Sequence, residues 1–459
     1  MASNNTSAVL DIVTESKEIS SILKDHKDYD RSSICSGSTI DNSLVQSPSL
    51  ESFSTIQDIE NLSELNMDEN SDLSVKIDNP QKHLETLETY ITFRITTKVA
   101  RIEYSENEYV VRRRYNDFIW LRQKLTECHP FCIVPPLPGK HSLIGQLDRY
   151  SKDFILLRMK ALNIFISRIV NHPILSCNEY FKTFLTAKQP DFNLHRRQRT
   201  NSENKIRTLS HSNSTHSALK NRHLEFDKTK TYLNVLSEKL SSIEKISSRI
   251  NKERIDFIVE LNSYHPIFTT WATTEPELAT ILQSIGNAVE RNTAAQNMLV
   301  QSYPTVIGNP IRDFLTYIEV VQDTIKKREA YQYAYENSLD ELNKRHSEKD
   351  KLIASSHNPS QASGFSLWKQ PSCDEKLEKL GVYIPQLLKK VEANQDSLEC
   401  ANESLRSDIE HWQLEKQQCL RKVLLDFVNK QIEYYQATVN AWEHVSNEIA
   451  PQNNVAVSK

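Results

Sequence analysis

Apolar residues recur at helical spacing from about residue 371 to residue 449, and this stretch limits the possible folds more than any other. A continuous helix over that range would be ~118 Å long at 1.5 Å per residue. A single globular domain does not bury a helix of this length, so other helices have to pack along its whole extent. The apolar positions of the stretch are Leu380, Ile384, Leu387, Leu388, Val391, Leu398, Leu405, Ile409, Trp412, Leu420, Val423, Phe427, Tyr435, Val439, Trp442 and Val445.

Two further amphipathic stretches precede this helix. The first covers residues 233–261, and the second covers 278–325 with an interruption at Pro304 and Pro310. Together the three stretches predict an all-α domain of three long helices over residues 222–452. Taken alone, the pattern is equally typical of a plain coiled coil.

The region before these helices has the pattern of a small α+β module. Leu73, Val75 and Ile77 alternate along a first strand, which Asn79-Pro80 interrupts. The predicted strands are 73–77, 89–99 and 108–114, and the predicted helices are 117–127, 150–170 and 178–186. Three strands followed by helices favour a sheet with helices packed on it.

Three arginines and a tyrosine, 112–115, stand where the third strand meets the first helix. A guanidinium can grip a phosphate with two parallel hydrogen bonds, and an aromatic ring gives a flat surface for stacking. Strict alternation places Arg114 and Tyr115 on opposite faces, so both can meet one ligand only if the strand ends here. A basic triplet by itself is also typical of a solvated strand end.

Two later motifs accompany the arginines. The first is Pro135-Pro136-Leu137-Pro138-Gly139-Lys140, and the second is the apolar run 154–162, which contains Arg158. The prolines pre-order their loop, so Lys140 and the nearby apolar residues can meet a bilayer. A proline-rich stretch alone is also typical of a connector or of an SH3 ligand.

Composition excludes several classes of function. A net charge of -4 argues against nucleic acid as a partner, and the sequence has no nucleophile elbow, P-loop, kinase or zinc-protease motif. We therefore expect neither an enzyme nor a cofactor. The seven cysteines are scattered, and Cys128-His129-Pro130-Phe131-Cys132 has no second half, so no metal site is predicted. Without an apolar run of ~18 residues or a signal pattern, a cytoplasmic location is expected.

The remaining segments are polar. Residues 1–70 are rich in Ser, Asn, Asp and Glu with only short apolar islands, which predicts disorder. Residues 189–221 form a basic linker. The expected organisation is a disordered stretch at 1–70, the α+β module at 71–188, the linker at 189–221 and the helical domain at 222–452.

The arginine, proline and Arg158 motifs, taken together and in this order, resemble the PX (phox-homology) domain. The resemblance implies recognition of phosphoinositides, mostly phosphatidylinositol 3-phosphate, on endosomal membranes. It also implies roles by position. Arg114 would hold the 3-phosphate and Tyr115 would pack under the inositol ring, whereas Lys140 would meet the 1-phosphate and Arg158 would bond the ring hydroxyls.

Three long helices after such a module resemble the sorting nexins with a BAR domain, which form curved antiparallel dimers. Within that family, the chain is similar to the subgroup of sorting nexins seven and thirty. Besides the arginine motif, the stretches that carry this likeness are Glu88-Thr89-Tyr90-Ile91-Thr92, Lys182-Thr183-Phe184-Leu185-Thr186-Ala187-Lys188, Gln431-Ile432-Glu433-Tyr434-Tyr435 and Ala441-Trp442-Glu443.

This resemblance implies a peripheral protein on the cytoplasmic side of early endosomes. It further implies a heterodimer with a BAR-domain partner of the sorting nexin four type, with a homodimer as the other option, and roles in sorting, recycling and autophagy. Two alternatives stay open at this point. One is a PX scaffold that binds proteins without shaping membrane, and the other is a tethering coiled coil.

Overall fold

A computed structural model describes residues 72–84, 89–139, 150–197, 223–356 and 373–449 of the chain. The expected disorder at 1–70, the linker after residue 197 and the position of Lys140 lie outside the described residues. Among the helices that the structure describes, none has the length and apolar content that a membrane crossing requires.

Three antiparallel strands form the sheet of the α+β module: β1 (Leu73–Leu84), β2 (Thr89–Val99) and β3 (Glu108–Arg114), in the order β1-β2-β3. Alternate residues of β2, including Phe93 and Ile95, are buried, as a sheet with one covered face requires. The predicted interruption at Asn79-Pro80 is a bulge within β1, and Asn79 adopts a φ of 44° there. The strand resumes after it, so β1 is longer than expected.

Four helices cover the sheet: α1 (Tyr115–Cys128), α2 (Lys152–Val170), α3 (Glu179–Thr186) and α4 (Gln189–Arg197). The first three lie within a few residues of the predicted ranges. Asn163 of α2 accepts the Ile77 N–H (2.9 Å) and donates to the Ile77 carbonyl (2.7 Å), which fixes this helix against β1.

Helix α4 occupies the first residues of the expected linker. Its Phe192 is fully buried and packs edge-on against Trp120, with 5.0 Å between the ring centroids. A single aromatic residue in a basic, polar stretch is a weak sequence signal. Its burial nevertheless makes α4 part of the module's core, because a buried aromatic ring removes a large apolar area from water.

The helical region consists of α5 (Leu224–Thr274), α6 (Ala279–Tyr303), α7 (Asn309–Ser356) and α8 (Cys373–Ile449). The expected break at Pro304 and Pro310 is a π-helical segment, Pro304–Gly308, that links α6 to α7. There the Asn309 N–H bonds the Pro304 carbonyl. The wider hydrogen-bonded loop lets the chain pass the prolines and remain helical.

Trp412 corrects an expectation about the long helix. The helical pattern of α8 predicts that Trp412, Phe427 and Trp442 all stay partly in water in a monomer. Trp412 is instead 1% exposed and stacks on Phe314 of α7 with 5.9 Å between the ring centroids, whereas Trp442 is 43% exposed. The later part of α8, after Val423, offers a regularly spaced uncovered stripe.

Two apolar stripes lie in solvent along α5 and α8. Their members repeat three, four or seven residues apart, which places each set on one helix face. The α5 stripe comprises Ile243, Ile246, Ile250, Phe257, Tyr264, Ile267 and Trp271, and the α8 stripe comprises Leu424, Val428, Ile432, Tyr435, Val439 and Trp442. Exposed apolar surface of this extent marks a site of association.

Buried polar contacts join the α+β module to the helical region. Arg168 near the end of α2 bonds Asp313 of α7 (2.7 Å) and Glu415 of α8 (2.8 Å). Burial by itself lowers the pKa of Arg168, but the two carboxylates more than offset it, so the pKa is raised. This guanidinium is therefore firmly charged and paired.

A second contact lies beside it. Asp408 of α8 accepts the Ile133 backbone N–H, and its other carboxylate oxygen lies 3.1 Å from His172 Nε2. The Nδ1 atom of His172 accepts the N–H groups of Ile174 and Leu175, which leaves the ring proton on Nε2. We call these two contacts, centred on Arg168 and Asp408, the polar clamp. Because α2 carries both Arg158 and Arg168, the clamp fixes the candidate site relative to the long helices.

Candidate functional site

The junction of β3 and α1 presents the two central residues of the predicted site. Arg114 closes the strand with φ -96° and ψ 163°, and Tyr115 is the first helical residue. The Asp117 carboxylate accepts the Arg114 backbone N–H at 2.9 Å, which stabilises the first turn of the helix. Arg114 and Tyr115 can lie on the same face only if the strand ends between them. The structure ends β3 at Arg114, as that condition requires.

The arginine triplet divides between two tasks. Arg113 is fully buried and donates to the carbonyls of Phe184 (3.0 Å) and Ala187 (2.6 Å). Its guanidinium carbon lies 4.0 Å from the centroid of the Phe192 ring, and burial lowers its pKa to about 10. Arg113 therefore belongs to the core and holds α3 and α4 against the sheet.

Arg112 and Arg114 point to the other face of the sheet. Arg112 donates to the Thr92 hydroxyl (2.9 Å) and to the Asn79 carbonyl (2.7 Å), so it ties the β1 bulge to β2. Arg114 is partly exposed, and its guanidinium carbon lies 5.6 Å from the centroid of the Tyr90 ring. Of the three arginines, Arg114 is thus the one at the rim of the candidate site.

Arg158 lies directly on Tyr115. Its guanidinium carbon is 4.4 Å from the centroid of that ring and 4.5 Å from the centroid of Phe154, one turn earlier on α2. Burial lowers the pKa of Arg158 and raises the pKa of Tyr115. The structure therefore brings Arg158, from a distant part of the sequence, onto Tyr115, the residue that follows Arg114, and both side chains of this pair are partly desolvated.

The proline loop, which the structure describes as far as Gly139, is fixed to α1 through the carbonyls of Pro135 and Pro138. The Tyr115 hydroxyl donates to the Pro138 carbonyl, and Arg122 Nε donates to the Pro135 carbonyl at 2.9 Å. Lys140, the next residue, lies outside the described residues, so its place in the site stays a prediction. Pro138, which the Tyr115 hydroxyl contacts, precedes Lys140 by two residues in the sequence.

Sequence reasoning missed the contribution of β1 to this rim. His83 stacks on Tyr90 with 5.0 Å between the ring centroids, and the Lys82 Nζ lies 4.9 Å from the Tyr150 ring centroid. Both residues follow the bulge and pair with β2 beside Thr92, the partner of Arg114. Only the strand register shows this neighbourhood, because β1 was expected to end before Lys82.

The cysteines do not form a metal centre in the described ranges, where no group of three or more His, Cys, Asp and Glu side chains converges. Cys128 is exposed and Cys132 is buried. Burial, with a smaller effect of Asp408, raises the pKa of Cys132 to about 12. That thiol behaves as a small apolar residue of the interface.

Comparison with known families agrees with this two-part architecture. The PX domain family matches residues 102–188, and the family described as "Vps5 C terminal like" matches residues 200–448. The second match alone covers more than half of the chain. It spans most of the helical region, whereas the first contains β3, α1 and Arg158.

Named relatives match along most of the chain. Sorting nexin-30 of Mus musculus is 36% identical over 375 residues, which is 82% of this chain and 77% of the relative. Sorting nexin-7 of Homo sapiens is 31% identical over 373 residues, 81% of this chain and 87% of the relative.

A solved structure shares the fold. The cryo-EM structure of the SNX-BAR Mvp1 tetramer aligns with a TM-score of 0.56 at 18% sequence identity. The alignment covers 81% of this chain and 99% of that chain. Proteins of this family are peripheral membrane proteins of endosomal sorting, and they dimerise. The chain therefore belongs to the sorting nexins that join a PX domain to a BAR domain.

Proposed function

We propose that this chain binds phosphatidylinositol 3-phosphate through four residues: Arg114, Tyr115, Lys140 and Arg158. The observation that carries the proposal is the Arg158 guanidinium over the Tyr115 ring, next to Arg114 at the end of β3. An inositol ring needs a flat surface, its phosphate needs a guanidinium fork, and its hydroxyls need several donors. In this proposal Tyr115 supplies the flat surface, Arg114 the guanidinium fork and Arg158 the donors for the hydroxyls.

The exposed stripes support dimerisation as the second half of the function. A single headgroup contact binds weakly, whereas two linked sites make the second contact intramolecular and can raise avidity ~100-fold or more. The α5 and α8 stripes offer the apolar surface for such a dimer. We propose a heterodimer with a BAR-domain partner of the sorting nexin four type in cells, with the homodimer as the weaker assembly.

The cellular role follows from these two properties. A dimer that reads phosphatidylinositol 3-phosphate would reside on the cytoplasmic side of early endosomes, where it would support recycling and autophagy-related traffic. The paired helices of the BAR domain would supply the scaffold for tubules. Tubulation of liposomes by the purified dimer tests this last step and separates it from a scaffold that binds only proteins.

Arg114→Ala tests the headgroup site. We expect it to abolish selective binding to liposomes with phosphatidylinositol 3-phosphate while the thermal unfolding of the protein is kept. Arg101→Ala is the matched control, because Arg101 pairs with Asp72 beside the start of β1. That residue lies near the opposite end of the sheet, since Leu73 pairs with Val99 and Thr92 with Arg114.

Two results would contradict the proposal. One is a folded Arg114→Ala protein that binds these liposomes as well as the parent does. The other is a liposome panel with stronger binding to the 4,5-bisphosphate headgroup than to the 3-phosphate headgroup, because one fork for one ring phosphate gives no reason for that preference.

A further inference from the structure

A cavity of about 640 Å³ lies between the α+β module and the helical region. Helix α1 and the proline loop form one wall, with Tyr115 and Leu137, and α7 forms the other, with Val320 and Tyr331. The lining is mainly apolar, and its size suits several side chains of a peptide rather than a single water or ion. The same Tyr115 that contacts Arg158 therefore also borders a second, larger space.

Two cations, Arg122 and Lys327, line this cavity. Burial lowers the pKa of both, and Arg122 further lowers that of Lys327, so the two positive charges are close together and partly desolvated. Asp323 raises the pKa of both cations by less than burial lowers it, and its carboxylate also bonds Lys326 at 2.9 Å, whereas Glu127 bonds Lys124 at 2.7 Å. A ligand that combines apolar groups with negative charge would satisfy this lining.

The chain itself contains a segment of that chemistry. Residues 50–71 precede β1 and have six acidic residues with no lysine or arginine. An apolar residue occupies every third position of its middle part: Phe53, Ile56, Ile59, Leu62 and Leu65. The other nearby segment, 140–149, has two basic residues and one acidic residue, so its charge does not complement the two cations.

The attachment point of the segment permits this contact. Asp72 pairs with Arg101, which donates to the Ser176 carbonyl at 3.3 Å. Asn178 in turn bonds His129, next to Pro130 at the end of the cavity. A chain of 22 residues can extend to roughly 70 Å, so the segment can follow this series of short contacts to the cavity.

We propose that residues 50–71 bind in this cavity of their own chain, with apolar side chains against Leu137, Val320 and Tyr331 and carboxylates beside Arg122 and Lys327. Covalent linkage gives the segment a high effective concentration, so weak contacts suffice. Bound there, it covers one side of Tyr115 and places negative charge beside the proline loop. It therefore opposes approach to an anionic bilayer. This consequence rests on the proposed function, whereas the binding of the segment does not.

Zero-length carbodiimide cross-linking of the full chain tests the binding, with peptide mapping as the readout. We expect amide bonds between Lys327 and acids of 50–71, and at least tenfold fewer at the neighbouring Lys326, which lies outside the cavity lining. Substituting Ser for Phe53, Ile56, Ile59, Leu62 and Leu65 together should remove most of the Lys327 cross-links, because the acids remain but the apolar contacts are lost.

Equal cross-linking of Lys326 and Lys327, or none to 50–71, would overturn the proposal. So would cross-links from Lys327 to Asp148, which identify 140–149 as the occupant. A mixture of isotope-labelled and unlabelled chains adds a third outcome, since cross-links that join the two kinds of chain would assign the segment to a second copy.

The serine variant also tests the consequence. We expect it to bind liposomes with phosphatidylinositol 3-phosphate about five- to tenfold more tightly than the parent. If the parent shows the Lys327 cross-links but the serine variant binds the liposomes with the same affinity as the parent, the segment binds the cavity without an inhibitory role. Failure of both proteins to bind these liposomes would contradict the proposed function and leave the cross-linking result standing.

Discussion

The helical region has two contact surfaces of opposite character. Towards the α+β module it presents the polar clamp, where Arg168 and Asp408 are almost completely buried and each contacts two partners. Along α5 and the later part of α8 it presents the two apolar stripes, which lie in solvent. The first surface is complete within one chain, and the second is not.

This difference separates orientation from association. Hydrogen bonds and buried ion pairs are directional, so the clamp fixes one geometry between the headgroup site and the long helices. Its net contribution to stability is modest, because desolvating the charges offsets much of their attraction. Apolar burial is non-directional and grows with area, so the stripes supply affinity for a second helical region. The two surfaces should therefore respond differently to mutation and to pH.

The largest effect is expected from charges on the α8 stripe. Leu424→Glu, Val428→Glu and Ile432→Glu, introduced together, place three carboxylates in a surface that a dimer would remove from water. We expect at least ~1000-fold weaker dimerisation, or about 4 kcal/mol. Sedimentation equilibrium measures it, and the α+β module should keep its headgroup recognition.

The exposed Ile102 of the module supplies the control. Ile102→Glu also replaces an exposed apolar residue but lies outside both stripes, so the mass in solution should not change. Val423 is a poorer choice for the test than Leu424, because it is buried in the chain's own core. A triple variant that stays dimeric at low micromolar concentration would show that the α8 stripe is not the dimer surface.

An intermediate effect is expected from the clamp. Arg168→Met leaves Asp313 and Glu415 without their shared partner at sites that are about three-quarters buried. We expect the free energy of unfolding to fall by about 3 kcal/mol. Urea denaturation of the dimer at fixed protein concentration measures this loss.

Arg312→Met is its matched control on the same helical region. Arg312 pairs with Glu244, but its side chain is 54% exposed, so water replaces the lost partner and the change should stay below ~1 kcal/mol. Equal losses for the two variants would mean that burial does not distinguish these ion pairs.

The smallest effect is expected from His129, beside the clamp. Burial lowers its pKa below the usual 6.5, and His172 lowers it further. The unfolded chain therefore takes up this proton at a higher pH than the folded chain does. The resulting stability is complete above pH 6.5 and is lost as the pH falls below it. His129→Gln should make the decline of the unfolding free energy between pH 6.5 and 5 shallower.

His346→Gln, at an exposed site of α7, should leave that decline unchanged. A His129→Gln protein with the parent's pH profile would contradict this assignment.

The sequence predicted most elements because their patterns are local. Helical spacing predicted a helix over residues 371–449, which the structure has as α8 at Cys373–Ile449, and β propensity identified β2. The α1 start at Tyr115 also lies within reach of sequence reasoning, since a strand rich in arginine meets an apolar helix pattern there. By contrast, α4 could not be predicted, because its position rests on the burial of a single ring, Phe192. The π-helical segment could not be predicted either, because it depends on how α6 and α7 continue past two prolines.

The candidate site divides in the same way. Its residue types, a basic triplet beside tyrosine, the proline loop and Arg158, were evident from the sequence because the chemistry of phosphate recognition restricts them. The residue pattern alone did not divide the tasks of the three arginines, and only the resemblance assigned the phosphate to Arg114, which stays a prediction. The burial of Arg113 among α3 and α4 and the position of Arg158 on Tyr115 come from the tertiary structure, because both are contacts between residues distant in sequence.

The combination of a small α+β module with helices too long to stay uncovered is evident from the amino-acid pattern, because side-chain periodicity and composition are properties of neighbouring residues. The tertiary fold was needed to show which apolar residues one chain buries and which it leaves in water. It placed Trp412 against Phe314 and left Trp442 exposed, although both share the same helical pattern. The reason is physical: burial depends on which helices meet, and that is set by contacts across the whole fold.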